Sequence, residues 1–407
     1  MSSATQAPDR TSPKWLAREY AARLEDLKAD FIGRDEAIEV IALATLCREH
    51  VLLVGPPGTA KTALLTRFAR LLDTEPFTYL LTRFTEPTEL FGPVDVKQFQ
   101  DNSVFRVNTD GMLPKARLAF LDEVFEGSSA ILNSLLTLIN ERTFYNGSKP
   151  EPSDLITLLG ASNDVPEDPV LAAFSDRFLL RCELTYVDGD DIGRVLDVGW
   201  RGEEDLIRAV DHHNGRLDGT LGADRDHAQF ALSALAILQS AVATIDLTPV
   251  RAVYTEILRD LRAQRVAFSD RRAVKAQKVF AASALLAGRR EAEVSDLSTL
   301  TYLWTDRRDE DAIRRALEAH DIHPAGRSKR LRDVGEIKLA LDELVNRRAA
   351  ARTGQDLWAI SEQIQALMVE LRTEHPEATQ LLHEVQQVRA TTVDEIQERS
   401  REAAGDV

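Results

Sequence analysis

The chain has 407 residues, 44% hydrophobic and 29% charged, which gives room for two or three globular domains. Its formal net charge of −16 argues against the general attraction to nucleic-acid or membrane phosphates that a basic surface has, although it leaves a local basic pore open. Two cysteines, Cys47 and Cys182, sit in separate apolar stretches without a CxxC pair, which argues against a disulfide framework or a zinc site. Met1 to Pro13 is polar, without the apolar stretch of a signal peptide, and no run of about eighteen apolar residues could span a membrane. A cytoplasmic protein is expected.

In chain order, residues 1–13 carry no periodicity and read as disordered. A helix follows over about 14–28, with Trp15, Leu16, Tyr20, Leu24 and Leu27 on one side. The loop Phe31-Ile32-Gly33 comes next and leads into a helix that runs to Cys47. It could line an adenine pocket or simply start that helix.

The stretch Val51–Thr62, VLLVGPPGTAKT, is the centre of the chain. A four-residue apolar strand enters a Gly-rich loop ending in Lys61 and Thr62. An apolar-periodic helix follows, with Leu64, Leu65, Phe68, Leu71 and Leu72. That order, strand then loop then helix, is a Walker A P-loop. Gly55 and Gly58 let backbone N–H groups turn around phosphates, with Pro56, Pro57, Thr59 and Ala63 completing the cradle. Lys61 can reach the β- and γ-phosphates, and the Thr62 hydroxyl can hold Mg²⁺. Ala60 stands where the general pattern has a third glycine, and it is small enough to fit.

Val94–Phe99 and Val104–Val107 alternate and predict a β-hairpin. Leu118–Asp122 is a buried-strand pattern ending in paired acids, Asp122 and Glu123. Asp122 would hold Mg²⁺ through water, and Glu123 would orient and deprotonate the attacking water. A helix is expected over Ala130–Ile139. A second hairpin is expected with Phe144-Tyr145 and Leu155–Leu159 flanking Asn146-Gly147. The strand Leu155–Asn163 ends in an amide, and Asn163 could place the water or cap the next turn. Arg177, after a helix-like 169–174, fits an arginine finger offered to a neighbouring subunit and equally an ordinary surface arginine.

From about residue 200 to 305 the pattern is helical without strands. Pro249 suits a first helical turn, and Ser269 would cap a helix carrying Arg271 and Arg272. His212, His213 and His227 lack metal-ligand spacing and read as surface residues. Beyond Ser328, three apolar stripes step by three and four: Val334–Leu344, Leu357–Leu371 and Leu382–Ile396. Short breaks between them predict a helical bundle.

Together, GPPGTAKT at 55–62, FLDE at 120–123, ASN at 161–163, SDRF at 175–178 and SDRR at 269–272 resemble the ordered motifs of MoxR-family AAA+ ATPases. The stretches 82–93, TRFTEPTELFGP, and 131–142, ILNSLLTLINER, resemble the RavA branch, which works with a von Willebrand factor A partner. The resemblance covers about residues 14–305. It implies an α/β fold: an αβα nucleotide domain over 14–196, a helical lid over 197–305 and, added here, a C-terminal helical domain over 306–407. It implies a ring, usually a hexamer, that uses ATP and Mg²⁺ to remodel a protein client. In it Arg177 would act on the neighbour's nucleotide, and Arg271 or Arg272 would be the lid's sensor of the γ-phosphate. Both hairpins would line the pore. RavA-type proteins interrupt their C-terminal helices with a β-rich insertion, which this sequence lacks. The same motor acting on nucleic acid, or as a metal-chelatase subunit, are the alternatives.

Overall fold

The computed structural model describes residues 11–405, except 103–105, 148, 167, 188–190, 214–229, 327–333, 351–356, 359, 362, 366, 369–370 and 372–377. The disordered reading of residues 1–10, the second strand of the first hairpin at 104–105, and His227 therefore lie outside the described residues. So do the side chains of His212 and His213. The chain divides into two compact units, residues 1–326 and 327–407.

In the first unit, helices α1 (Pro13–Asp30) and α2 (Asp35–Cys47) precede strand β1 (Val51–Val54), and α3 (Lys61–Leu71) follows it. Ser12 caps α1 by accepting from the Trp15 N–H, and the apolar side of α1, including Leu16, Tyr20 and Leu24, is buried. Strand β2 (Phe77–Leu80) leads to the short helices α4 (Pro87–Phe91) and α5 (Val96–Asn102). Then come β3 (Leu118–Asp122), α6 (Ser129–Glu141), the ribbon β4 (Thr143–Asn146) and β5 (Lys149–Pro152), and β6 (Thr157–Ser162). Helix α7 (Pro169–Ser175), β7 (Leu180–Glu183) and α8 (Ile192–His213) complete this part.

The five-stranded sheet has the order β2-β3-β6-β1-β7, and all its pairings are parallel. Its three inner strands are apolar runs rather than alternations: β1 and β6 are buried along their whole length and β3 except at Asp122, because helices cover both faces. Parallel pairing brings the ends of β1, β3 and β6 to one edge. Val54 lies beside Ser162, and Leu121 beside Gly160. That edge is where a doubly wound sheet binds ligands.

Two expectations need correction. The first hairpin is not a hairpin of strands. Val94 and Val107 form one antiparallel bridge, and the chain between them starts as helix α5. Val96 and Phe99 are exposed, so no buried face rewards alternation, and Lys97, Gln98 and Gln100 favour a helix. The second hairpin exists, but β4 pairs with β5 at 149–152 and not with 155–159. Thr157–Ser162 is apolar enough to be buried on both faces and joins the main sheet, leaving the proline-bearing Lys149–Pro152 for an edge ribbon.

Helices α9 (Leu232–Val242), α10 (Thr248–Ala263) and α11 (Asp270–Leu286) follow, then a 3₁₀ segment, Val294–Tyr302, and α12 (Arg307–Ala319). Pro249 lies in the first turn of α10, and Ser269 caps α11 through the Arg272 N–H, as expected. Glu49, buried after α2, takes Lys275 at 2.6 Å and Lys278 at 2.7 Å, which fastens α11 to the sheet domain.

The second unit has its own core. Ile337, Leu341 and Leu344 of α13 (Val334–Ala350) cluster with Ile360, Ile364, Leu367 and Leu371, and with Leu381 and Val385 of α14 (Thr379–Gly405). The three stripes thus pack against one another. Among the described residues no helix is long and apolar enough to cross a membrane.

Candidate active site

The loop after β1 is built for close backbone approach. Gly55 donates its N–H to Ser162 O at 3.0 Å, and a Cβ on Gly55 would lie 2.0 Å from Leu184 O. No side chain fits there. Gly58 has φ +80°. Ala60 is also left-handed, at φ 63°, where a non-glycine residue costs about 1–2 kcal/mol. The Thr59 hydroxyl donates to Pro56 O at 3.0 Å, and the buried Lys61 ammonium donates to Gly55 O at 2.7 Å across the loop. Burial lowers the Lys61 pKa, and the charges of Asp122 and Glu123 oppose that shift. Thr62 and Ala63 are exposed in the first turn of α3. Free N–H groups and the positive end of the helix dipole favour an anion there.

Across from the loop, β3 ends at Asp122, whose Oδ1 accepts the Glu123 N–H at 3.0 Å. Glu123 leaves the strand in the left-handed region, φ 48°, while Val124 N–H returns to Ala161 O at 2.9 Å. This local strain turns the Glu123 carboxylate toward the end of β6. There the Asn163 Nδ2 donates to Glu123 Oε1 at 2.9 Å. Two residues 40 positions apart are thereby joined at the sheet edge. A cleft of about 410 Å³ opens beside them, lined by Gly55, Pro56, Pro57 and Asn163 on one side and Glu183–Tyr186 and Arg307 on the other.

Phe31 packs on the core and Ile32 is partly buried, next to a contact that sequence reasoning missed. Arg34 is buried, donating from Nε to Thr59 O at 3.1 Å and from Nη1 to Gly33 O at 3.1 Å. It ties the 31–34 loop to the P-loop. An arginine at the N-cap of α2, where the helix dipole disfavours a cation, was the available signal. Tyr186, also missed, donates its hydroxyl to Pro57 O at 3.3 Å.

The three arginines expected at the site are dispersed. Arg177, partly buried, pairs with Asp176 at 3.4 Å. Arg271 reaches Asn140 Oδ1 of α6 at 2.7 Å. Arg272 is buried, donating to Leu179 O at 2.8 Å and Leu303 O at 3.1 Å and pairing with Asp176 at 3.1 Å. Asp176 therefore lies between Arg177 and Arg272. None of these partners belongs to the P-loop. The neighbouring Arg181 is buried under Trp304 at 5.4 Å, and burial together with the Arg272 charge lowers its pKa to about 9.

A parallel sheet with this strand order, a P-loop after its inner strand β1, paired acids at the end of β3, and a helical domain after it define an AAA+ nucleotide-binding protein. Residues 18–215 match the family model for the MoxR domain of MoxR-vWA-beta-propeller ternary systems, and 247–317 match an AAA lid domain. The chain belongs to the MoxR-type AAA+ ATPases. An uncharacterized protein of Methanocaldococcus jannaschii is 37% identical over 71% of this chain and 70% of its own length. Chaperone MoxR1 of Mycobacterium tuberculosis is 27% identical over 42% of this chain and 45% of its own. A candidate ATPase from Cytophaga hutchinsonii of known structure superposes over 75% of this chain and 96% of its own with TM-score 0.58 at 18% identity, a likeness of fold.

Proposed function

We propose that the chain is an ATP-hydrolysing motor that works as a ring, usually a hexamer in this class, and remodels a protein client together with a von Willebrand factor A partner. The observation that carries the hydrolysis is the Asn163–Glu123 hydrogen bond of 2.9 Å, formed at the mouth of the P-loop beside Asp122. The residues present fit MgATP: Gly55 leaves no room for a side chain at the loop entrance, and Lys61, Thr62 and Asp122 supply a cation, a hydroxyl and a carboxylate around it. Bound Mg²⁺ would neutralise charge on the phosphates, held by Thr62 and by Asp122 through water. Lys61 leaves Gly55 O to meet the phosphates. Glu123 takes a proton from a water that Asn163 orients through their shared hydrogen bond. Phe31 and Ile32 flank the base, with Arg34 holding their loop on the P-loop.

Arg177 would contact the nucleotide of the next subunit, and Arg271 would act from the lid; Arg272 would hold the finger-bearing loop, since it binds Asp176 and the carbonyls of 178 and 179. The description of the matching family supports the von Willebrand factor A partner, whereas the RavA-like branch rests on 82–93 and 131–142 alone. Two buried free thiols fit the reducing cytoplasm, and a net charge of −16 favours a protein client over nucleic acid. The test is ATP-dependent phosphate release by the purified chain, followed by capture of partners on a Glu123→Gln chain loaded with ATP. No phosphate release at any protein concentration would reject the motor.

A further inference from the structure

Arg307 lines the cleft that holds Gly55, Pro56 and Asn163, and of the described residues lining that cleft it alone carries a positive charge. It is the first residue of α12, 130 positions beyond the arginine expected to act as the finger, and no motif marks it. Its partners are carboxylates at the ends of β6 and β7: Asp164 at 3.7 Å and Glu183 at 3.4 Å. Neither distance is that of a short charge-assisted hydrogen bond. Its Nε is buried with no hydrogen-bond partner among the described residues. Asp164 is the residue next to Asn163, so Arg307 stands one residue from the amide that faces Glu123.

The backbone behind Arg307 is fixed. Arg181 donates to Thr305 O from beneath Trp304, and Asp306 caps α12 in a reciprocal box with Asp309. The guanidinium therefore moves on a rigid base. The edge it faces carries Asp122, Glu123, Asp164 and Glu183, with Lys61 as the cation of the loop. A triphosphate brings one more negative charge to this edge than a diphosphate. A guanidinium that lines the cleft and is held by two loose ion pairs is the group best placed to meet that charge.

We propose that Arg307 is the lid cation that distinguishes triphosphate from diphosphate within its own subunit, exchanging Asp164 and Glu183 for the terminal phosphate. This rests on the reading of the cleft as a nucleotide site. Arg271 is engaged by Asn140 and Arg272 by backbone carbonyls, so Arg307 acts inside the subunit in addition to the lid role given to Arg271.

The experiment is titration calorimetry on the full chain with ATPγS and with ADP, Mg²⁺ present. Arg307→Ala and Arg307→Gln should each weaken ATPγS by about 10- to 100-fold, the equivalent of one charged hydrogen bond, and ADP by less than about threefold. Arg308→Ala, whose side chain pairs with Asp306, should change neither. Glu183→Gln, which removes a competing partner, should tighten ATPγS. A melting temperature near the parent's shows that the variants are folded. Unchanged ATPγS affinity in both Arg307 variants, or equal losses for the two nucleotides, overturns the proposal. The nucleotide reading itself falls separately, if Lys61→Ala binds both ligands as tightly as the parent chain.

Discussion

Glu123→Gln isolates one proton transfer from everything else that the residue does. Glutamine has the same length, so its side-chain oxygen still accepts the Asn163 amide at the 2.9 Å observed. The backbone stays at φ 48°, so the local strain is unchanged. The Asp122 Oδ1 contact to the residue's N–H does not involve the side chain. What is lost is a base. General-base catalysis contributes about 10²–10⁴ in rate, which is about 2.7–5.5 kcal/mol of barrier. Turnover should fall by that factor while nucleotide affinity stays within about threefold and the folded state keeps its stability to within about 1 kcal/mol. Phosphate release at saturating MgATP, fluorescent-nucleotide binding and a thermal melt measure the three quantities. Turnover within twofold of the parent chain refutes the assignment. A parallel loss of turnover and affinity would move Glu123 from proton transfer to binding.

The loop glycines should separate by cause. A Cβ at Gly55 meets a backbone carbonyl, so Gly55→Ala should destabilise by about 1–3 kcal/mol and abolish binding; Gly58 has open space and only a positive φ, so Gly58→Ala should cost about 1–2 kcal/mol. Urea melts that rank the two variants in the opposite order would contradict this. His50 is buried and neutral, accepting the Leu158 N–H on Nδ1 at 3.0 Å and donating from Nε2 to Ile139 O at 3.1 Å. Burial, then the Arg142 charge, hold its pKa well below 6.5. The unfolded chain therefore takes a proton as pH falls below 6.5 and the folded one does not, so stability present above 6.5 should decline by about 1.4 kcal/mol per pH unit below it. Urea melts at pH 7, 6 and 5 should give a shallower decline in His50→Gln, and equal slopes would remove the cause. If Arg177 serves a neighbour, ATPase per subunit should rise with concentration, and mixtures of Arg177→Ala with Lys61→Ala chains should regain activity that neither has alone, within the 10³–10⁵ that such fingers supply. Full activity in dilute monomers would rule out action across subunits.

The P-loop, the Asp122-Glu123 strand end and Asn163 were legible because each is a local pattern whose chemistry needs those residue types at that spacing. So were Ser269 as a helix cap and the three stripes of the C-terminal unit, since caps and 3.6-residue periodicity are written within one element. The first hairpin, and the partner strand of the second, went wrong where a local pattern has two outcomes. Alternation at 94–107 suits a strand only if a sheet face covers it, and Val96 and Phe99 are instead exposed on a helix. The run at 155–162 could pair with β4 or enter the main sheet, and burial on both faces decided for the sheet.

What the sequence determined by itself is therefore the set of groups at the candidate cleft that lie within a few residues of a strand end, since strand, loop and helix are local in the chain. What only the tertiary structure decided is which distant cations join them. Arg34 reaches Thr59 across 25 positions and Arg307 arrives at the P-loop from the lid, whereas Arg272 is held away from it against carbonyls 93 and 31 positions away. An arginine has a long side chain and no periodicity or turn signature of its own. Apart from the N-cap position of Arg34, its partner is set by how distant segments fold together, and that packing leaves no mark at the arginine's own position in the sequence.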